Sequence, residues 1–347
     1  MKKMIMCLTL AVCLLMTGTS LSMAKTYKFA WSHYTGWEPW AYAQDTGILD
    51  KWANKYGIKI ELSAPMDYIE SINLYTSGAY DACVMTNMDA LTIPAVGGVD
   101  STALIVGDFS NGNDGVVAIG ANSIKELKGK TGLLVELSVS DYLLSRGLDK
   151  NGMNSKDLTM INTSDADIAS VFTSNPKGFV VTWNPLLMQV MNVPEANLIF
   201  DSSQIPGEII DLTVVRTNAP DELKKALVGA WFETMATMSG RGPQSKEAIN
   251  FMAKMAGSTP AEFKAQLKTT AMFYAAKDAV AFARSPQLKN TMELVRTFSF
   301  DKGLYAGASN SDFVGIIFPD GSIIGDKGNV KLRFDASFMN MAADGQL

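Results

Sequence analysis

The chain has 347 residues, 47% of them hydrophobic and 19% charged, with a net charge of −5. This length and apolar content suit two cored units better than one small domain. The acidic balance argues against nucleic acid and anionic membrane surfaces as partners, and one histidine with one cysteine beyond residue 24 cannot build a common zinc site.

Residues 1–24 read as an export signal. Lys2 and Lys3 supply the positive start, residues 4–16 are a short apolar run, and Ser22-Met23-Ala24 offers a small-residue cleavage site before Lys25. The run is too short to span a bilayer. A lipoprotein site at Cys13 is a poorer fit, because Val12 is bulky for the position before an acylated cysteine. Cleavage removes Cys7, Cys13, Lys2 and Lys3, which leaves Cys83 as the one thiol and excludes an intrachain disulfide. The expected product is an exported, periplasmic, monomeric protein of residues 25–347.

From residue 25 to 120, strands and helices alternate. Strands are expected at 27–31, 58–62, 81–86, 103–106 and 115–119, with helices over 39–56 and 67–77 and a helical turn from Asp89. This rhythm implies a largely parallel sheet with helices on both faces. A second unit, residues 121–213, opens with a short helix closed by Gly129. Strands at 131–135, 158–162, 179–182 and 197–201 follow, with helices over 139–150 and 166–173. Residues 212–216 return to the first unit, which continues over 214–347, mostly helical, with hairpin strands in the tail at 313–334. Passages near 120 and 213 therefore make the second unit an insertion joined by two crossovers. Such a double hinge creates a cleft that closes on a ligand.

Catalytic signatures are missing. The chain has no G-x-S-x-G, H-E-x-x-H, Walker A or G-x-G-x-x-G sequence. Met235, Met238, Met252 and Met255 stand at helical spacing, which fits core filling better than a copper site. No metal or cofactor is expected.

What remains is a set of aromatic and acidic residues at strand ends. Residues 31–40 hold three of six tryptophans and the histidine, on the strand-to-helix turn where α/β sheets bind ligands. Trp37, Trp40 and Tyr34 are candidates to line a pocket, although Trp40 also reads as core. Trp183 ends a strand and reads either as a pocket wall or as core. Asp89, Glu136, Asp165, Glu208 and Asp211 stand at strand ends or near the return crossover. Asp89 and Asp165 would serve equally well as helix caps, and Asp211 as a hinge residue. Glu136, between a strand and a helix, is expected to be partly buried.

An anion site would want arginine, hydroxyls and helix N-termini. Indoles plus carboxylates match a small planar cation with N–H donors around its edge, and guanidinium is the model case. Trp37 and Trp183 would be the stacking walls, with Tyr34 or Trp40 in support. Asp89 and Glu136 would be the main acceptors, one from each unit, and Asp165 and Glu208 secondary ones. The alternatives are urea or another neutral amide, a sulfonate- or nitrate-type anion, and a periplasmic hydrolase.

The runs 31–40, 67–73, 86–91, 135–138, 162–167, 183–185 and 203–212 together resemble one family over nearly the whole mature chain. It is the periplasmic substrate-binding proteins of ABC importers encoded beside urea carboxylase, within the nitrate/sulfonate/taurine-type group. The resemblance implies a type 2 periplasmic-binding-protein fold, two α/β lobes joined by two crossovers, and no enzymatic activity. It also implies delivery of ligand to a membrane permease and ATPase. Because some so-called urea carboxylases act on guanidine, it is compatible with guanidine as well as urea.

Overall fold

The protein is described by a computed structural model covering residues 24–305 and 307–347. The expected export signal, apart from Ala24, lies outside the described residues. No helix among them is long and apolar enough to cross a membrane.

The strands in chain order are β1 (Thr26–Ala30), β2 (Lys59–Leu62), β3 (Ala82–Thr86), β4 (Ser101–Phe109), β5 (Asp114–Ile119), β6 (Thr131–Leu134) and β7 (Thr159–Asn162). They continue with β8 (Phe179–Trp183), β9 (Ala196–Asp201), β10 (Ile210–Arg216), β11 (Gly315–Ile317), β12 (Ile323–Ile324) and β13 (Val330–Phe334). Two sheets form: an eight-stranded one in the order β12-β11-β13-β4-β10-β3-β1-β2, and a five-stranded one in the order β7-β6-β8-β5-β9.

The continuous apolar runs became the sheet centres. All five residues of β3 and of β8 are buried, as expected for strands covered on both faces. The expectation of a largely parallel first sheet holds for six of its eight strands, β10 and β12 being the reversed ones. β1 pairs in parallel with β2 and β3, but β10 runs antiparallel to both β3 and β4. A strand returning from an inserted unit enters from the opposite end, and its composition carries no mark of direction.

The helix expected over 39–56 is two helices, Glu38–Asp45 and Ile48–Lys55. Between them Gly47 has φ of 73°, a left-handed turn that glycine adopts without steric penalty. Met235, Met238 and Met252 are buried in the first lobe's core, as their helical spacing suggested.

The crossovers lie elsewhere than expected. β5 pairs with β8 and β9, so it belongs to the second sheet, whereas β10 belongs wholly to the first. The passages are therefore residues 110–113 and 202–209, not points near 120 and 213. They are bonded to each other: the hydroxyls of Ser110 and Ser202 are 2.6 Å apart, and Ser202 Oγ accepts from the Gly112 N–H at 2.7 Å.

Candidate functional site

At the carboxyl end of β1 the chain turns through residues 31–37 before the helix Glu38–Asp45 begins. Trp31 is anchored by its indole N–H on the Ser63 carbonyl (2.9 Å). Tyr34 and Trp37 are thereby left facing the second lobe. After β2, Asp67 caps the helix Tyr68–Ser77 by accepting from the Glu70 N–H at 3.1 Å, which places Tyr68 in the first turn. From the second lobe, Trp183 at the end of β8 donates its indole N–H to the His33 carbonyl at 3.0 Å. The Thr35 N–H donates to the Asn184 carbonyl at 3.3 Å. The lobes are closed on each other.

These contacts enclose a chamber lined by Tyr34, Trp37, Tyr68, Trp183, Thr86, Val139, Asp114 and Asp211. Trp37 and Tyr68 are stacked with centroids 5.5 Å apart, Tyr34 tilts against Trp37 at 4.9 Å, and Trp183 meets Tyr68 edge-on at 5.5 Å. The chamber's cavity volume in this closed arrangement is about 10 Å³, room for about one water molecule, so anything larger needs the walls to part.

The polar part of the chamber is acidic. Asp114 opens β5 and Asp211 is the second residue of β10, 3% and 2% exposed. Asp108 in β4 is wholly buried and stands directly across from Asp211 in the strand register. It accepts from the Tyr34 hydroxyl at 3.1 Å. Gly36 permits this approach, because a Cβ there would lie 2.4 Å from the Asp108 carboxyl. Asp108, Asp114 and Asp211 each have one carboxyl oxygen buried without a hydrogen-bond partner. Among the described residues, no lysine, arginine or histidine lines the chamber.

Burial without a cation disfavours the charged form. Burial pushes Asp114 up to about 7. It does the same for Asp108, although Asp211 and Tyr34 pull the other way. Asp211 is raised well above the carboxylate range, first by burial and then by the charges of Asp108 and Asp114. Burying the ionised form of a carboxyl such as Asp114 costs on the order of 4 kcal/mol relative to leaving it in water, at 1.36 kcal/mol per pKa unit. A bound cation would offset that cost.

The sequence-derived candidates separate into three groups. Trp37, Trp183 and Tyr34 line the chamber, but the Tyr68 ring stands between the two indoles, so they are not a facing pair. Asp89 is buried one layer behind. It accepts from the Tyr68 hydroxyl at 2.5 Å and the Thr86 hydroxyl at 2.9 Å, and burial raises it to about 7. The backbone N–H of Val139, at the start of the helix Val139–Lys150, also acts on this carboxyl. That helix N-terminus thus faces a carboxylate of the chain itself.

Trp40, Glu136, Asp165 and Glu208 do not line the chamber. Trp40 is core, edge-on to Phe29 at 4.7 Å and tilted on Trp231 at 5.1 Å. Glu136 is exposed, against the expected partial burial, because β6 ends at Leu134 and Glu136 falls in the turn beyond it. Glu136→Gln is accordingly expected to change the affinity for guanidinium or urea less than twofold in a direct titration.

Asp165 closes the cleft mouth instead: its carboxylate accepts from the Tyr68 N–H at 3.0 Å, while Ser164 donates to Asp67 at 2.5 Å. Glu208 already has a cation. Arg146 grips it with Nε at 2.8 Å and Nη2 at 2.9 Å, and Tyr142 donates to it at 2.8 Å. This strut ties the return crossover to the second lobe. Glu208→Ala leaves a mostly buried guanidinium with only a 3.8 Å contact to Asp149 and is expected to lower stability by about 2 kcal/mol. A thermal melt would show a lower midpoint, and an unchanged one would contradict the strut.

Sequence reasoning passed over Tyr68, Thr86, Val139, Asp108 and Asp114, and read Asp211 as a hinge residue. The signal was the true crossover: Asp108 and Asp114 flank residues 110–113, and Asp211 follows 202–209. Displacing the expected crossovers moved attention away from those acids.

Comparison with known proteins agrees with this architecture. The family model NMT1/THI5 like matches residues 39–198. The alkanesulfonate-binding protein SsuA from Xanthomonas axonopodis pv. citri, bound to MOPS, superposes with a TM-score of 0.66 at 14% identity, over 81% of this chain and 94% of its own. The Candida albicans CA3427 gene product, described as having the generic periplasmic binding protein fold, gives 0.59 at 16% identity over 78% and 90%. The chain has the periplasmic-binding-protein fold. The nitrate-binding protein NrtA from Synechocystis PCC 6803 gives a TM-score of 0.56 at 14% identity over 93% and 99%. At that level the resemblance read from the sequence holds. Identities this low carry the fold and not the ligand. A search of curated proteins finds no sequence match.

Proposed function

We propose that this chain is the substrate-binding protein of an ABC importer and that it captures guanidinium between its lobes. The observation that carries the reading is the chamber wall: four aromatic rings and two buried carboxylates, with no basic side chain. Guanidinium is planar and presents N–H donors in a fixed fork that matches carboxylates. The unpartnered oxygens of Asp114 and Asp211 are acceptors of that kind, one on a strand of each lobe. Contact with an aromatic face in a desolvated site contributes on the order of 2 kcal/mol, so carboxylate pairing supplies most of the affinity. Ligand touching both lobes favours the closed arrangement because those contacts exist only there.

An anion fits the chamber poorly. The helix N-terminus at Val139, the kind of place where anions bind, lies within electrostatic reach of the buried Asp89 carboxyl. Urea is the second reading, and the raised carboxyls support it: protonated acids would tolerate a neutral amide of the same outline. The expected setting is the periplasm, with a permease and ATPase in the inner membrane as partners.

Trp37 and Trp183 make the chamber self-reporting. Tryptophan emission is expected to change saturably with submillimolar guanidinium chloride at pH 8, and to stay flat with urea, nitrate and taurine. A saturable response to nitrate or taurine, with none to guanidinium, would overturn the reading.

A further inference from the structure

Asp108 does not line the chamber, and the proposed function leaves it unused. Its position is nonetheless unusual. It is the cross-strand partner of Asp211, wholly buried, on a fully covered part of the first sheet. Like charges placed directly opposite on a sheet repel, and two buried carboxyls in contact ionise in sequence and not together.

The surroundings contain nothing to neutralise a double charge. From β5, Asp114 adds a third carboxyl. From the loop after β1, the Tyr34 hydroxyl donates to Asp108. Tyr274, in the segment before the helix Ala276–Ala283, feels the Asp108 charge. Beyond them stand Tyr68 and Asp89, the latter within range of Asp114. Every one of these groups is acidic or neutral. One oxygen each of Asp108 and Asp211 has no protein donor.

We infer that Asp108 and Asp211 share one proton across the β4–β10 register, and that capture of a cation expels it. The inference rests on the guanidinium reading of the chamber. The balance is simple: a guanidinium ion enters, the O–H bond of the shared carboxyl breaks, its electron pair stays on oxygen, and the proton leaves to water. The charge of the chamber is unchanged by the exchange. Asp108 is then a positioning residue, acting through Asp211. It makes the site read charge, since a neutral amide such as urea cannot replace the proton.

The test is titration calorimetry of the mature protein with guanidinium chloride at pH 7, in two buffers of different protonation enthalpy, which counts protons released per ligand bound. The wild type is expected to release about one or more, because Asp114 adds a share of its own. Urea is expected to release none. Asp108→Asn supplies an amide N–H to Asp211 and keeps it ionised without a proton. This variant is expected to lose at least half the count wherever saturation is reached.

Saturable guanidinium binding by the wild type with no proton release would overturn the shared proton while leaving the guanidinium reading intact. A count unchanged in Asp108→Asn would also overturn it. Absence of guanidinium binding would sink the functional reading first and this inference with it. The wild-type count stands by itself should the variant fail to fold.

Discussion

Asp211→Asn is expected to weaken guanidinium binding about 100-fold while changing urea binding less than tenfold. Asp211 is 2% exposed, presents an oxygen that no protein donor satisfies, and lines the chamber. Truncating one partner of a buried charge pair costs about 2–5 kcal/mol, and each 1.4 kcal/mol is tenfold in affinity. An asparagine keeps the shape and one acceptor, so a neutral amide loses little. Calorimetric affinities of the two ligands for wild type and variant at pH 8 decide it. Equal losses for both would mean that Asp211 serves the chamber's architecture and not its charge.

The second large effect concerns stability without ligand. Burial holds Asp89, Asp108, Asp114 and Asp165 at about 7 in the folded chain, against about 3.9 when unfolded. The folded state therefore binds more protons, and stability falls as pH rises between those values. His33 acts in the same direction: burial lowers it, but the hydrogen bond and charge of Glu38, with the charge of Asp165, together outweigh burial and leave it raised.

Among the groups that would oppose this slope are Asp67 and Asp100, the latter held by Arg333 at 2.8 Å. Their folded values are depressed, so their contribution is present above the unfolded pKa and is lost only at lower pH. The melting midpoint of ligand-free protein is thus expected to fall from pH 5 to pH 8 by on the order of 5–10 °C for each such carboxyl left uncompensated, since each loses about 2–3 kcal/mol and 1 kcal/mol is about 2–4 °C for a chain of this size. Asp114→Asn should flatten the slope, and submillimolar guanidinium should recover part of the loss at pH 8. A midpoint that rises over this range would contradict the burial of uncompensated acids.

Much of this molecule could be read from its residues. The apolar runs at 81–86 and 179–182 were visible as strands, and residues 67–77 were legible as the helix that carries Tyr68. The aromatic run at 31–40 pointed to the right turn, and two of its members line the chamber. Pairing partners were not visible. β5 is a continuous apolar run like the strands before it, so nothing local said that it hydrogen-bonds to β8 and β9. That one ambiguity moved the hinge and hid Asp108 and Asp114, whose burial comes from non-local contacts. Glu136 failed for the opposite reason: apolar neighbours on both sides suggested burial, but the strand ends before it. Glu208 looked available until the fold brought Arg146 to it.

The central claim is that the closed chamber selects a small planar cation by charge. Calorimetric titration of the mature protein with guanidinium chloride and, separately, urea at pH 8 tests it most directly. The account predicts saturable one-to-one binding of guanidinium at least 100-fold tighter than urea. Urea binding as tightly as guanidinium would contradict it, and the buried acids would then serve the closed hinge alone.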